Sequence, residues 1–486
     1  MKYNDKSIKY NDKSIKYNDK SIKYNNKSIK YNNKTNKNTE KKTNKKTKKM
    51  SFKDNKKQSK KQKKRATGFF LKKNKTVIPK TILKNTVVIK DNTPFEERLI
   101  SKSIQKILVD KKKPSNMLST IREELTKNKS FTPEINKKLV SMSLNTGFSD
   151  IFDCGLNTPL QNKKFKPNVS RNDATLFKNI MQVKIGVKNK KPICVDRNDP
   201  RAQKLLLKNL NSTSALDCNK IITPLQVRAN CWFNTMFVCF FISDKGRKFF
   251  KFFRQLMIQG KFANGSKITP PTLADSFFLF NAAIESCYNS SKNKKTQDLA
   301  LAMDTNNIIT RIYNAIPKKN RNYGILDVDS PNNPLNYYDD VMRFLNNDNI
   351  NLVEIDYVDI KNISQNGGNF GNKIPDVYAI TMIDKASKNI NDKPLTIKLH
   401  GVDYVLDSVI IRDTEMYHFC ALITCGGNEL GFDGASMSRL NKFEWKKNIN
   451  KDINWTFEGS NFNEDKKDPI LWNFRQAYQI LFYYRK

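Results

Sequence analysis

Residues 231–243 read CWFNTMFVCFFIS, an apolar stretch with no charged side chain and no polar stripe at helical spacing. A helix that is hydrophobic all round must be covered on every side. The run is also far too short to cross a bilayer. The chain must therefore build a body thick enough to bury a helix completely, and its neighbours in sequence say how. SDKGRKFFKFFRQLMIQG opens on a Ser-Asp cap and predicts a second helix. TLADSFFLFNAAIESCY and PLNYYDDVMRFLNND predict a third and a fourth. The pattern then turns to strands: NLVEIDYV, DVYAITMI, LTIKLHGVDYVLDSVIIR, YHFCALITC, ELGFDG and YQILFYYRK. Helices first and an antiparallel sheet after them give an α+β class for residues 205–486.

The chain before this unit is different material. The formal net charge is +43 over 486 residues, and residues 1–70 hold 25 Lys and Arg against 5 Asp and Glu. Residues 2–29 repeat a seven-residue unit, KYNDKSI three times and then KYNNKSI. Tyr and Ile fall five and two apart in it, so no coiled-coil seam exists. Residues 1–66 are expected to be a disordered basic tail. KKTNKKTKKM and KKQSKKQKKR read either as a nuclear-import or nucleic-acid patch or as solvated tail. Residues 67–204 are a less defined helical and linker region. TVIPKTILKNTVVIK suggests a strand pair. PFEERLISKSIQKILVDK, PSNMLSTIREELTKN and TPEINKKLVSMSL suggest short helices, the last started by Thr132-Pro133-Glu134. Residues 151–203 read as a connecting segment. The region carries no catalytic constellation and is expected to pack on the α+β unit.

The basic excess favours polyanionic partners, nucleic acid foremost. Eight scattered cysteines with no signal peptide before them suggest a reducing compartment.

Cys231 opens the apolar helix, and a helix N-terminus lowers a thiol pKa. A neighbouring histidine would complete its activation, and the chain has only two, His400 and His418. His400 reads as a strand-end residue. His418 starts a hairpin, HFCALITC against ELGFDG, across CGGN. Pairing His418 with Asp433 centres the turn between Cys425 and Gly426. Opposed residues share a face, so Asp433 can orient the His418 ring. Asp413, in the loop before His418, is the rival acid. Gln226, five residues before Cys231, is the candidate oxyanion-hole amide, with Asn230 competing. Asn234 is expected to bond locally at the helix start. Cys239, Cys287 and Cys420 read as core.

The stretch Gln226-Val-Arg-Ala-Asn-Cys231-Trp-Phe-Asn234-Thr235 resembles the cysteine box of ubiquitin-specific proteases. YVLDSVIIRDTEMYHFCALITCGGNELGFDG resembles their histidine box. A weaker echo of their Gln-Asp-Ala-x-Glu-Phe-Leu helix is DDVMRFL, where Asp340, Phe344 and Leu345 match. The resemblance implies a papain-like catalytic domain with Cys231 as nucleophile, His418 as base, Asp433 as orienting acid and Gln226 in the oxyanion hole. It implies a deubiquitinase-like peptidase acting after a ubiquitin or ubiquitin-like C-terminus. The Lys/Asn/Ile bias and the repeat tail resemble a large nucleocytoplasmic DNA virus, which implies host cytoplasm and the virion as settings. The chain departs from the family at Asn230, Tyr417 and Gly434. It lacks the paired Cys-x-x-Cys of a zinc-binding fingers module, so no metal and no cofactor are expected. Viral polyprotein sites are a further substrate class. Proteases that place histidine before cysteine are disfavoured by residue order, and transglutaminase-like sites by the long Cys-to-His spacing. The alternative from another class is a non-enzymatic basic protein, bound to nucleic acid or a virion core through its tail, on a degenerate peptidase scaffold.

Overall fold

The computed structural model describes residues 86–109 (except 92 and 94), 123–135 (except 131), 181–211, 216–288 (except 227 and 228), 305–317, 333–337, 345, 352–356, 374–382 and 393–486 (except 416, 417, 436–438 and 461–468). The repeat tail, both basic clusters, Tyr417 and all of DDVMRFL but Leu345 lie outside these.

Strand β1 (Thr86–Ile89) and helix α1 (Phe95–Val109) come first. The helix follows its sequence pattern, with Leu99 and Ile100 buried. Thr132 caps the short turn after it, its hydroxyl accepting from the Ile135 N–H. Residues 151–203 were expected to connect, and their described part, from residue 182, instead folds. Strands β2 (Gln182–Lys188) and β3 (Lys191–Asp196) form a hairpin, followed by helix α2 (Pro200–Leu210). Asp199 caps α2, and Pro200 fills its first turn. The hairpin turns on Asn189 and Lys190, both at positive φ. Its lysine-rich faces hid the alternation, because only Val183 reaches the core among the residues of β2.

Helix α3 (Cys231–Phe241) is buried at all 11 positions, as a helix without a polar stripe must be. The second expected helix is two, α4 (Asp244–Phe249) and α5 (Lys251–Gln259). The break lies at Phe250, which turns inward to stack on Phe240 at 4.2 Å. Ser243 caps α4 by accepting from the Gly246 N–H. Helices α6 (Pro271–Tyr288) and α7 (Thr305–Ala315) complete the layer around α3.

The strands β4 (Leu352–Asp356), β5 (Val377–Met382), β6 (Thr396–Leu399), β7 (Val402–Arg412), β8 (Phe419–Cys425), β9 (Asn428–Phe432), β10 (Asn441–Lys442) and β13 (Gln479–Arg485) form one sheet. Its order is β10-β9-β8-β7-β13-β5-β4, with β6 paired on β7. The run LTIKLHGVDYVLDSVIIR is a hairpin rather than one strand, turning on His400 and Gly401 at φ 52° and 78°. The sheet is antiparallel except at its far edge, where β4 runs parallel to β5.

Both faces of this sheet are buried. Ile480, Phe482 and Tyr484 point to the helical layer, where the Phe482 ring meets Phe240 edge-on at 5.1 Å. Leu481 and Tyr483 point the other way, to an aromatic layer containing Trp445, Trp455, Trp472 and Phe474. Truncating a ring such as Phe240 in such a core costs about 3–5 kcal/mol. Strand β11 (Asn454–Phe457) lies between β12 (Trp472–Asn473) and β1, which it meets in parallel. Strand β1, from the region before residue 205, is thus hydrogen-bonded into the α+β unit.

A disulfide joins Cys218 to Cys425 across 207 residues. It ties the loop leading to α3 to the β8–β9 turn. Nothing in the spacing of two cysteines so far apart could announce the pair. Cys231, Cys239, Cys287 and Cys420 are buried and take part in no disulfide.

Candidate active site

Cys231 is the first residue of α3, so its thiol sits at the positive end of an 11-residue helix. Asn230 stands at the cap position, but its side chain makes no cap bond. Its Nδ2 instead donates to Thr305 Oγ1 at 2.8 Å. That hydroxyl donates onward to Asn234 Oδ1 at 2.6 Å. Asn234 Nδ2 in turn donates to the Leu225 carbonyl at 3.2 Å. One threonine from α7 therefore links the asparagines on either side of the thiol, and one of them holds the loop that carries Gln226.

The β8–β9 hairpin brings in the base. Its register pairs Cys425 with Asn428 and Ala421 with Phe432. The turn is the two-residue Gly426-Gly427, both at positive φ, as a tight hairpin turn requires. The expected pairing of His418 directly with Asp433 is therefore two residues out of register. A shift of two preserves the face, because side chains alternate with period two. His418 and Asp433 become diagonal neighbours, and Nε2 of the ring lies 2.6 Å from Asp433 Oδ1. The Cys231 thiol lies near enough to this ring to contribute to its raised pKa.

Asp433 is fully buried and held in place. The Ala435 N–H donates to Oδ1 at 3.0 Å, and Ser460 Oγ donates to Oδ2 at 3.0 Å. Asp413, the rival acid, accepts the backbone N–H of His418 instead of its ring. Trp472 flanks the imidazole, ring centres 6.0 Å apart. Burial alone would push the His418 pKa down. The Asp433 carboxylate, its hydrogen bond with the ring and the Cys231 thiol outweigh it and carry the pKa well above its ordinary value. Asp433 thus favours the protonated form of the ring.

The Gln226 N–H donates to the Gly434 carbonyl at 2.9 Å. Gly434 is where the family resemblance would place a second aspartate. A Cβ there would stand 3.1 Å from the Phe432 ring and 3.4 Å from Gln226 N, so the close approach of this loop suits glycine. His400 lies at the exposed β6–β7 turn. Cys420 and Cys239 are buried thiols whose pKa burial pushes up, the opposite of an activated nucleophile.

The structure therefore brings Cys231, His418 and Asp433 together, with His418 hydrogen-bonded to Asp433. It places Gln226 on a loop held to the hairpin and turns Asn230 toward Thr305. Thr305 and Ser460 were missed from sequence. The apolar spacing of Ile308, Ile309 and Ile312 could have revealed α7; nothing local marks Ser460. Among the described residues no group of three or more His, Cys, Asp and Glu could hold a metal ion.

No family model matches the chain, and no curated protein matches it. Solved structures do. The SAGA Ubp8/Sgf11/Sus1/Sgf73 DUB module bound to ubiquitin aldehyde is similar at 11% identity and a TM-score of 0.33, over 63% of this chain and 81% of that one. The same module bound to monoubiquitin is similar at 10% identity and a TM-score of 0.32, over 79% of this chain and 96% of that one. A yeast SAGA DUBm structure gives 11% identity and a TM-score of 0.29, over 64% and 81%. At these scores the likeness is one of partial arrangement, and the chemistry has to rest on the side chains.

Proposed function

We propose that this chain is a cysteine peptidase that cleaves the bond after the C-terminus of ubiquitin or a ubiquitin-like modifier. The observation that carries the reading is the His418 ring set between the Cys231 thiol and the buried Asp433 carboxylate. The substrate class follows from the cysteine- and histidine-box resemblance. The Cys231 thiolate attacks the terminal carbonyl of the modifier, and the oxyanion forms beside the α3 N-terminus. His418 gives its proton to the departing amine. The thioester is then hydrolysed by a water from which His418 takes a proton. Asp433 keeps the ring turned through both steps.

Ubiquitin carrying a C-terminal thiol-reactive warhead tests this, read by intact mass. Labelling is expected for wild type, and its loss for Cys231→Ala and His418→Ala. Equal labelling of Cys231→Ala would refute the assignment of the nucleophile.

A further inference from the structure

The loop that carries Gln226 is gripped from three sides. Asn234 holds the Leu225 carbonyl, and the Gly434 carbonyl holds the Gln226 N–H. The third grip comes from outside the region that resembles a peptidase. Gln105 Nε2, on α1, donates to the Gln226 carbonyl at 2.6 Å, across 121 residues of chain.

Helix α1 is built to deliver that contact. Leu99, Ile100 and Ser103 bury one face of it. Its start is fixed on the aspartate side of the site. The Ile89 carbonyl accepts the Glu458 N–H at 2.9 Å, and the Asp91 N–H donates to Glu458 Oε2 at 3.1 Å. Asp91 then pairs with Arg98 in the first turn of the helix at 3.2 Å. Glu458 lies two residues before Ser460, which holds Asp433. The helix therefore spans from the loop behind the acid to the loop before the nucleophile.

We propose that Gln105 is a positioning residue for the active site. By fixing the Gln226 peptide it sets the loop from which the Gln226 side chain meets the oxyanion. This rests on the peptidase reading, and it makes the region before residue 205 part of the catalytic machinery. Without Gln105 the loop keeps its grips at the Leu225 carbonyl and the Gln226 N–H, but the Gln226 carbonyl loses its bond to α1, and oxyanion stabilisation depends on donors placed before the reaction starts.

Two reactions of the full-length protein separate this role from a structural one, each followed by intact mass. p-Nitrophenyl acetate acetylates a thiolate: the sulfur adds to the ester carbonyl, an oxyanion forms, the C–O bond breaks and p-nitrophenolate leaves. Iodoacetamide alkylates the same sulfur by displacing iodide, with no oxyanion. Gln105→Ala is expected to slow Cys231 acetylation about tenfold and leave alkylation unchanged. Gln105→Lys keeps an N–H donor of similar reach and is expected to recover most of the rate. Equal acetylation of wild type and Gln105→Ala overturns the proposal and leaves the peptidase reading standing. A matching fall in both reactions also overturns it, being the mark of general distortion. A wild type that is not acetylated at Cys231 brings down the peptidase reading, and the proposal with it.

Discussion

Asp413 and His418 are joined twice along the backbone: the His418 N–H donates to Asp413 Oδ1 at 2.6 Å, and the Asp413 N–H donates to the His418 carbonyl at 2.8 Å. Asp413 thus fixes where the histidine stands, and Asp433 fixes how its ring is turned. The two carboxylates should fail differently. Asp433→Asn is expected to keep the melting temperature close to wild type and lower kcat/KM about 10- to 100-fold. Asp413→Ala is expected to cost about 1.5–3 kcal/mol of stability, the loss of a charged acceptor for a buried N–H. Thermal melts and steady-state rates on both variants check this. The reverse pattern would exchange their roles.

The raised pKa of His418 has a sign that can be followed in activity. The reactive pair needs the proton on the ring, so activity falls as pH rises through the folded-state pKa. Removing the Asp433 charge removes the main effect holding that pKa up. Asp433→Asn should therefore move the alkaline limb of kcat/KM to lower pH, with Asp413→Ala leaving that limb in place. In stability, the contribution of the raised pKa is fully present below the ordinary histidine value near 6.5. It is lost as pH rises through the folded-state value.

Lys393 gives an opposite dependence. Its side chain is buried, and Nζ donates to the carbonyls of Ile449 and Phe474 at 2.9 and 2.6 Å. Burial, with help from the Arg475 charge, brings its pKa down to about 7. A neutral amine has two N–H donors, one for each carbonyl. Between pH 7 and the ordinary lysine value the unfolded chain holds a proton that the folded chain does not, so stability rises with pH there. Lys393→Met should lack this rise. Melting temperatures at pH 7, 8.5 and 10 test it, and parallel curves for the two proteins would sink the assignment.

Reduction of the Cys218–Cys425 disulfide should loosen the approach of the two halves of the site. A bridge closing a loop of this length contributes about 3–5 kcal/mol. Wild type treated with reductant is expected to melt close to the double variant Cys218→Ser, Cys425→Ser. The variant should respond less to the same treatment. A variant as sensitive as wild type would locate the loss elsewhere.

The sequence shows those features that are settled over a few residues. An all-apolar helix, alternating strands and a glycine pair between them are local facts, and α3, β5, β8, β9 and β13 follow from them. Hairpin parity is local too, which is why an error of two in the register left His418 and Asp433 on one face. What stayed hidden is settled between distant segments. Thr305 reaches Asn230 across 75 residues, and Gln105 reaches Gln226 across 121. A polar side chain that will bond a partner so far away looks like any surface residue. The β2–β3 hairpin was obscured for the opposite reason, since its lysines mimic linker composition.

Strand β13 lies between β7 and β5 in the large sheet, yet it follows every other strand of that sheet in the chain. During synthesis β4 and β5 emerge first, and then the β6–β10 group that presents His418 and Asp433. Neither group can join the other until the ribosome has passed residue 485. The nascent chain therefore carries Cys231, His418 and Asp433 for some time before the sheet is complete. The sheet is thus completed only by its last-translated strand.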